Sequence, residues 1–441
     1  MVTRVTVTIF ITFKNANIFV FSSLNRNFAL SLWREMKKMN EATRAFVREH
    51  RDDDVRQLAL RGTKDPEVDL AFALQQIDGR KRAQEKLPSW AAVEGIVWPP
   101  HLSMEQCSSE QTARYKAEVA GNGGVFVDLT AGFGVDAAFI AQGFQKAVAV
   151  ELQAELCAIS SENFRLLGLH QIEVVNGNGV DYLHRMAPAD LVFIDPARRD
   201  EHGGRTYGIA DCTPNVLDFI DELLEKAQRV MIKLSPMLDW RKAVEDIGRQ
   251  YVSAVHIVSV ANECKELLLI LGGGQTDEIC VVCVNLLSNG EREVFVQTLC
   301  LERGIRPPRP DGHPSYSGGE RKYLFEPNAS IMKAGCFEEI VARFPVTQLH
   351  QNSHLFVSDR EVPDFPGRGF VIERTTSMNK RELKESLAGI TQANIAVRNF
   401  PMSAEELRRR LKLRDGGDIY IFATTVENTG HRLLICRKIS N

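Results

Sequence analysis

The sequence predicts an α/β fold built on a Rossmann-like parallel sheet. Between residues 125 and 234, short apolar runs alternate with amphipathic stretches, which is typical of parallel strands joined by helices. Two later apolar runs, residues 253–260 and 266–271, are separated by a link too short for a parallel crossover and therefore predict an antiparallel hairpin. The glycine-rich segment 130–134 follows the first strand, where such sheets bind nucleotide ligands.

Five parallel strands and their helices are assigned from the apolar runs. Helical periodicity over residues 40–90 predicts a helical cap before the sheet. Residues 278–298 are expected to form a second hairpin that turns at Ser288-Asn289-Gly290. The predicted strands are residues 125–129, 147–151, 172–175, 190–194 and 229–234, and the helices are residues 135–142, 153–166 and 214–227.

The rest of the chain is expected to form a separate C-terminal α/β module. Residues 303–320 contain four prolines and four glycines, a composition that predicts a linker. Ser403 and Glu406 form a capping box that predicts the start of a helix. The predicted domains are a non-functional leader at 1–38, the helical cap at 39–100, the nucleotide-binding domain at 101–275, a small β region with the linker at 276–325, and the C-terminal module at 326–441.

Bulk composition narrows the class of protein. The net charge of −3 gives no global attraction to nucleic acid or anionic lipid, so any RNA contact must come from local basic patches. The nine scattered cysteines are typical of reduced intracellular thiols. Cys280 and Cys283 would point to opposite faces of one strand, and we expect no metal site. The absence of a long apolar run predicts a soluble, cytoplasmic protein.

The glycine-rich segment raises the question of which adenosyl ligand it binds. Residues 132–137 satisfy the dinucleotide pattern G-x-G-x-x-A, but Asp128 and Asp136 would lie where a pyrophosphate sits and would repel it. S-adenosylmethionine has no phosphate and carries two positive groups, so the pattern favours this cofactor. Glu151, at the tip of the second strand, is expected to accept the ribose hydroxyls. The predicted cofactor-binding residues are Asp128, Thr130, Gly132, Phe133, Gly134, Asp136, Glu151, Asn178 and Ser109.

Two of these assignments have open alternatives. Asn178 follows the third strand, where related sheets usually carry an aspartate that accepts from the adenine amino group, and its carbonyl oxygen could do the same. Asparagine is also a common turn residue. In related folds the segment before the first strand closes over the methionine end of the cofactor, so Ser109 or Thr112 could bind the carboxylate there. Helix capping by Ser108 is an equal alternative for this segment.

Long motifs resemble a bacterial family of class I S-adenosylmethionine-dependent methyltransferases with a C-terminal THUMP-like domain. The likeness covers nearly everything after residue 40. It implies a seven-stranded methyltransferase sheet, a ferredoxin-like or THUMP-like C-terminal module, and methyl transfer to RNA. The segments that carry the likeness are residues 99–103, 105–110, 112–116, 128–136, 194–200, 232–237, 326–329 and 399–401.

The segment Asp195-Pro196-Ala197-Arg198 is similar to the catalytic loop of amino and nucleobase methyltransferases. That likeness implies that Asp195 and the carbonyl before Pro196 accept hydrogens from a target nitrogen, and that Arg198, with Arg199, binds a phosphate. The alternative is a structural Asp195 that caps the loop, with Arg198 paired to Asp200 or Glu201. Residues 233–236 provide no cysteine nucleophile, so methylation of nitrogen is favoured over methylation of a pyrimidine carbon.

A basic segment near the C-terminus is the candidate RNA contact. Residues 398–414 contain six basic and two acidic residues, and the candidates are Arg408, Arg409, Lys412 and Arg414. The segment could equally be the solvated face of an amphipathic helix. The THUMP-like resemblance favours RNA. The predicted activity is N-methylation of a base in tRNA or rRNA. The alternatives are methylation of a protein or small-molecule amine, and a non-catalytic RNA-binding protein with a degenerate cofactor pocket.

Overall fold

The computed structural model describes residues 40–198, 208–272, 274, 277–300 and 322–439. The predicted leader and linker lie outside the described residues, as does Arg199, and the Arg198 side chain is likewise not described. The chain forms two compact units, the first composed of Met1–Tyr251 and Leu269–Gln275 and the second of Val252–Leu268 and Thr276–Asn441.

The first unit begins with the predicted helical cap. Asn40, Asp54 and Asp69 each accept a backbone N–H at the start of a cap helix, which satisfies groups that the helix cannot pair itself. The rings of Trp90 and Trp98 lie 5.3 Å and 6.3 Å from the ring of Phe133, so the cap packs directly on the glycine turn. The helices are α1 (Glu41–Glu49), α2 (Val55–Arg61), α3 (Leu70–Lys86), α4 (Pro88–Ala91), α5 (His101–Gln106) and α6 (Glu110–Ala120).

The parallel sheet of the first unit has the predicted strands. Its strands are β1 (Gly123–Asp128), β2 (Phe144–Glu151), β3 (Ile172–Asn176), β4 (Ala189–Ile194) and β7 (Ala227–Leu234). The short β5 (Ala197–Arg198) and β6 (Cys212–Thr213) form a separate antiparallel pair between β4 and β7 in the chain. β1 pairs in parallel with β2 and β4, β2 with β3, and β4 with β7. The connecting helices are α7 (Val135–Ile140), α8 (Ala154–Leu166), α9 (Gly179–Arg185), α10 (Ile220–Lys226) and α11 (Trp240–Ile247).

The predicted hairpin follows as β8 (Val252–Val260) and β9 (Glu263–Gly272). Its two turn residues, Ala261 and Asn262, both have positive φ, 48° and 65°, as a tight type I′ hairpin turn requires. β9 contributes residues to both units. In the first unit the strand order is β9-β7-β4-β1-β2-β3. Five parallel strands with this hairpin confirm the class I methyltransferase sheet.

The second unit contains the second predicted hairpin and a mixed sheet. β10 (Glu278–Leu286) and β11 (Arg292–Cys300) are antiparallel, and β10 pairs in parallel with β8, which extends the sheet in the order β11-β10-β8-β9. The remaining strands are β12 (Tyr323–Pro327), β13 (Thr347–Gln348), β14 (Phe356–Ser358), β15 (Gly367–Thr376), β16 (Asn394–Arg398), β17 (Ile419–Val426) and β18 (Gly430–Lys438). The helices are α12 (Ala329–Ala334), α13 (Phe337–Arg343), α14 (Lys380–Ser386) and α15 (Ala404–Leu411).

The mixed sheet has the order β13-β14-β12-β15-β18-β17-β16 and a buried ion cluster. The Glu326 carboxylate, on β12, is only 2% exposed. It pairs with Arg368, its cross-strand partner on β15, and with Arg398 at the end of β16, whose Nη2 lies 2.8 Å away. Three strands separate β12 from β16 in the sheet order, so this sheet must curl for Arg398 to reach Glu326.

Two features of the helices bear on the sequence analysis. Ser403 and Glu406 form the predicted capping box at the start of α15. None of the helices in the described part of the chain has the length and apolar character needed to cross a membrane.

Candidate functional site

Asp128 ends β1 as a buried carboxyl with one oxygen unpaired. Its Oδ1 accepts the N–H of Thr130 at 2.9 Å, whereas Oδ2 accepts no hydrogen bond from the described residues. Burial raises the pKa of Asp128 well above its usual range, against the Thr130 hydrogen bond, and the nearby Asp136, Asp195 and Glu151 raise it further. Burial therefore favours the neutral form of Asp128 more than that of an exposed aspartate, whereas an adjacent positive group would favour the ionised form.

The glycine turn is open at one glycine and packed at the other. Gly132 and Gly134 have φ of 56° and 83°, the left-handed region that favours glycine. Apart from the chain neighbours of Gly132, no heavy atom of the described residues lies within 4 Å of the position of a Cβ on Gly132, whereas a Cβ on Gly134 would lie 2.6 Å from the Phe164 ring. The Gly132 N–H donates to Glu151 Oε2 at 2.8 Å. The acid at the tip of β2 thus borders the open side of the turn.

Thr130 and Phe133 have different environments within the same turn. Thr130 Oγ1 accepts the backbone N–H of Asp195 at 2.7 Å and so joins the end of β1 to the loop after β4. The Phe133 side chain is buried against Trp90 and Trp98, and its carbonyl accepts from Ser160 Oγ at 3.1 Å. Phe133 therefore anchors the glycine turn in the core. The predicted contact of Phe133 with a cofactor stays a prediction.

Asp136 lies at the centre of a charged cluster that the sequence did not indicate. Lys116 Nζ lies 3.2 Å from its Oδ1, and Lys233 Nζ lies 3.5 Å from its Oδ2, which also accepts from Ser108 Oγ at 2.8 Å. Burial alone would raise the pKa of Asp136, but the two lysines and the Ser108 hydrogen bond lower it below its usual range. Asp136 is therefore an anion neutralised within the protein.

The segment before α6 is joined to this cluster by the hydrogen bond from Ser108 to Asp136. Ser109 is the N-cap of α6 and accepts the Thr112 N–H at 3.3 Å, so the cap is Ser109 rather than Ser108. Lys86 donates to the carbonyls of Met104 and Glu105 at 2.9 Å and 2.7 Å and holds the end of α5. Capping occupies one lone pair of Ser109 Oγ, and its predicted bond to a cofactor remains a prediction.

Asn178 caps α9. Its Oδ1 accepts the N–H groups of Val180 and Asp181 at 2.8 Å and 3.3 Å. A Cβ on the next residue, Gly179, would lie 2.1 Å from the carbonyl oxygen of Leu129, so the loop after β3 lies directly against the end of β1. The structure thus places Asn178 beside the turn, with the carbonyl that was predicted to accept from adenine already accepting two backbone donors.

Asp195 lies after β4, with its carboxylate next to Lys233. Lys233 Nζ lies 2.5 Å from Asp195 Oδ2, and Pro196 is buried behind it. The backbone of Arg198 pairs with Cys212 between β5 and β6. The predicted Asp195 and Pro196 therefore lie at the carboxyl edge of the sheet, together with the glycine turn. The acids proposed as alternative partners of Arg198 lie outside the described residues.

The basic segment of the second unit contains the helix α15 and the residues directly after it. Leu407 of α15 is fully buried and Arg409 is exposed, so the helix is amphipathic, as the alternative interpretation expected. Arg408 is half-buried and pairs with Asp415 at 2.5 Å. Lys412 caps the end of the helix and Arg414 follows it, and both side chains are exposed.

Lys116 and Lys233 were missed by reasoning from sequence. Lys233 had a usable signal, because it lies in an apolar strand run immediately before the carboxyl edge of the sheet, where an isolated charge is costly. Lys116 had none, since its spacing in α6 gives no indication of a fully buried ammonium.

Family models match three parts of the chain. Residues 367–438 match the THUMP domain-like family, and residues 323–366 match a ferredoxin-like domain. Residues 120–200 match protein-L-isoaspartate(D-aspartate) O-methyltransferase. No curated protein matches the chain.

Among solved structures, the chain is similar to a candidate methyltransferase from Porphyromonas gingivalis W83. That likeness has 29% sequence identity and a TM-score of 0.80, and it covers 92% of this chain and 99% of the other. An rRNA methylase from Streptococcus thermophilus matches at 19% identity and a TM-score of 0.28 over 37% of this chain and 96% of its own. TrmK of M. capricolum, bound to S-adenosyl-homocysteine, matches at 14% identity and a TM-score of 0.30 over 38% of this chain and 70% of its own. TM-scores this low support no conclusion about function.

The strand order, the glycine turn and these matches define an enzyme of the class I S-adenosylmethionine-dependent methyltransferases. Its C-terminal part matches the THUMP domain-like family over residues 367–438, and nearly the whole chain is similar to the methyltransferase structure from Porphyromonas gingivalis.

Proposed function

We propose that the chain transfers a methyl group from S-adenosylmethionine to a nitrogen of a base in structured RNA, such as tRNA or rRNA. The observation that carries the proposal is the position of Asp195 at the carboxyl edge of the sheet, where its backbone bonds to the glycine turn and its Oδ1 accepts no hydrogen bond from the described residues. Open α/β sheets bind ligands at this edge.

The residues of the turn fit the cofactor. Asp128 presents an unpaired, buried carboxyl oxygen that suits a cation, and the space beside Gly132 admits an adenosyl group. Each Glu151 oxygen accepts one backbone N–H and retains a lone pair for a ribose hydroxyl. Asn178 and Ser109 would border the adenine and methionine ends. When bound, the cofactor supplies an electrophilic methyl group on a positive sulfonium.

The residues after β4 would hold the target base. Asp195 would accept a hydrogen of the target nitrogen and so direct its lone pair, which is catalysis by positioning. The Asp195 carbonyl, which precedes Pro196, would accept a second hydrogen. Arg198 would bind a phosphate of the target strand. In the second unit, Arg409, Lys412 and Arg414 would bind the RNA backbone, with Arg408 held by Asp415 beside them.

The first test is calorimetric titration of S-adenosylmethionine into the wild type and into Asp128→Asn and Glu151→Gln. Both substitutions keep the side-chain shape and remove an acid. Glu225→Gln, at an exposed acid of α10, is the matched control. Binding that is lost in both site variants and kept in the control supports the cofactor pocket. Absence of binding to the wild type contradicts the proposed activity.

The RNA part is tested by the salt dependence of binding. Replacing Arg409, Lys412 and Arg414 by glutamine should reduce the slope of log K against log salt by about 2, since each lost phosphate contact removes roughly 0.7–0.9. The matched control replaces Lys380, Arg381 and Lys384 of α14, which removes the same charge from the same unit. Equal slopes for the two triple variants would contradict the assignment of this basic segment as the RNA contact.

Methyl incorporation into protein instead of RNA would favour the alternative substrate class.

A further inference from the structure

Lys233 ends β7 with its ammonium between two carboxylates. Its Nζ lies 2.5 Å from Asp195 Oδ2 and 3.5 Å from Asp136 Oδ2. The lysine side chain is only 13% exposed, whereas that of Asp195 is 36% exposed. An ammonium this buried needs a paired charge, and Asp195 is the nearer partner.

Asp136 has sufficient partners without Lys233. Lys116 Nζ, fully buried, lies 3.2 Å from its Oδ1, and Ser108 donates to its Oδ2 at 2.8 Å. Lys116, Asp136, Lys233 and Asp195 therefore form a chain of alternating charges that ends at the exposed carboxylate. The inner pair helps to hold Lys233 beside Asp195, because the same ammonium also contacts the buried Asp136 carboxylate.

The backbone N–H and one carboxylate oxygen of Asp195 are hydrogen-bonded within the protein, and the other carboxylate oxygen differs from them. Its backbone N–H donates to Thr130 Oγ1 at 2.7 Å, and its Oδ2 accepts from Lys233. Its Oδ1 accepts no hydrogen bond from any residue that the structure describes. One oxygen is thus anchored by β7, the backbone is anchored by the turn after β1, and the other oxygen is available to a ligand.

We propose that Lys233 is the positioning residue for methyl transfer and that it restricts the target to a nitrogen that bears a hydrogen. This inference rests on the proposed function. With Oδ2 taken by Lys233, Asp195 Oδ1 accepts an N–H of an exocyclic amine or a ring N–H. A ring nitrogen without hydrogen would present its lone pair to the carboxylate oxygen and be repelled.

In the proposed methyl transfer, Asp195 takes up the proton that the target nitrogen loses, and Lys233 balances the charge of the Asp195 carboxylate. The nitrogen lone pair forms the N–C bond as the C–S bond breaks and its electron pair goes to sulfur. The proton of the nitrogen passes to Asp195 Oδ1 and from there to water. Lys233 stays protonated throughout and keeps Oδ2 in place.

The first test needs neither cofactor nor substrate. In protein labelled with ¹³C at the aspartate carboxyls, the Asp195 signal is assigned by its loss in Asp195→Asn and compared at one fixed pH in the wild type, Lys233→Met and Lys233→Arg. The carboxyl chemical shift of Asp195 should change in Lys233→Met, which removes the hydrogen-bond donor to Oδ2, and should stay close to the wild-type value in Lys233→Arg. The control is Lys242→Met, which removes an exposed lysine paired with Asp246 at 3.0 Å and should leave the Asp195 signal unchanged. The same Asp195 chemical shift in all variants would overturn the proposal.

The second test separates positioning from mere stability. Lys233→Met should lower kcat by about 10²-fold with little change in the Kd of S-adenosylmethionine, and Lys233→Arg should restore most of kcat. Mass spectrometry of the product nucleosides should place the methyl group on a nitrogen that bore a hydrogen. An unchanged kcat in Lys233→Met, or a methyl group on a ring nitrogen without hydrogen, would refute the inference alone. A methyl group on carbon would refute both the inference and the nitrogen specificity of the proposed function. A wild type that binds cofactor but methylates neither RNA nor protein would refute the proposed function, and the inference with it.

Discussion

The ion cluster of the second unit makes Glu326→Gln a sharp test of how the curled sheet is held together. The Glu326 carboxylate is 2% exposed and pairs with Arg368 and Arg398. Glutamine keeps the shape and one acceptor oxygen but removes the only negative charge that faces the two guanidinium groups in the described contacts. Removing one partner of a buried ion pair costs roughly 3–5 kcal/mol.

The magnitude should lie at the lower end of that range. The arginine side chains are 38% and 37% exposed, so both can recover hydration when the carboxylate is lost. We expect a loss of about 3 kcal/mol in the free energy of unfolding, equivalent to a Tm lower by roughly 6–12 °C for a unit of this size.

The assay is hydrogen exchange by mass spectrometry on the full chain, which separates the two units, together with thermal unfolding followed by circular dichroism. Exchange should rise in peptides from β12 and β15. The matched control is Glu373→Gln, which breaks the exposed Glu373–Arg437 pair in the same sheet and should cost less than about 1 kcal/mol. Equal destabilisation by the two variants would refute the argument, because burial is what distinguishes the two pairs.

Two further predictions concern the glycine turn. Since the folded pKa of Asp128 is raised above its usual 3.8, the stability that its neutral form contributes is present at low pH and is lost as the pH rises through that raised pKa. Urea titrations across this pH range should show wild type losing stability relative to Asp128→Asn, and parallel curves would contradict the raised pKa. Gly134→Ala combines a φ of 83° with a contact of 2.6 Å to Phe164 and should cost at least 1–2 kcal/mol, roughly, whereas Gly132→Ala adds backbone strain without a clash and should cost less. Equal losses in denaturant titrations would show that packing on Phe164 is unimportant.

Local patterns were sufficient to predict the sheet. Alternation of apolar runs with amphipathic stretches located all five parallel strands, and the short link at residues 261–265 predicted the hairpin. The signals were strong because parallel strands are buried on both faces. By contrast, α9 and α11 were missed, as they have seven and eight residues and are too short to show helical periodicity clearly.

The site was predictable only where chemistry lies along one segment of the chain. The turn residues and Asp195 were found because they lie immediately after strands. The partners of Asp136 come from α6 and β7, and contacts between such distant segments leave no trace in spacing. Asp136 was therefore expected to face the cofactor, whereas the structure shows a carboxylate already bound by two lysines. Its predicted role in binding is untested.

The packing of Trp90 and Trp98 against Phe133 gives the protein an intrinsic optical probe. Of its four tryptophans, these two contact the residue between the two glycines of the turn, and Trp240 also lies in the first unit. Trp33, the fourth, lies outside the described residues. A ligand that settles on the turn would change the surroundings of the indole rings, so occupancy could be followed by emission without a label. In the described chain this signal comes from the first unit alone, and it would report on the glycine turn.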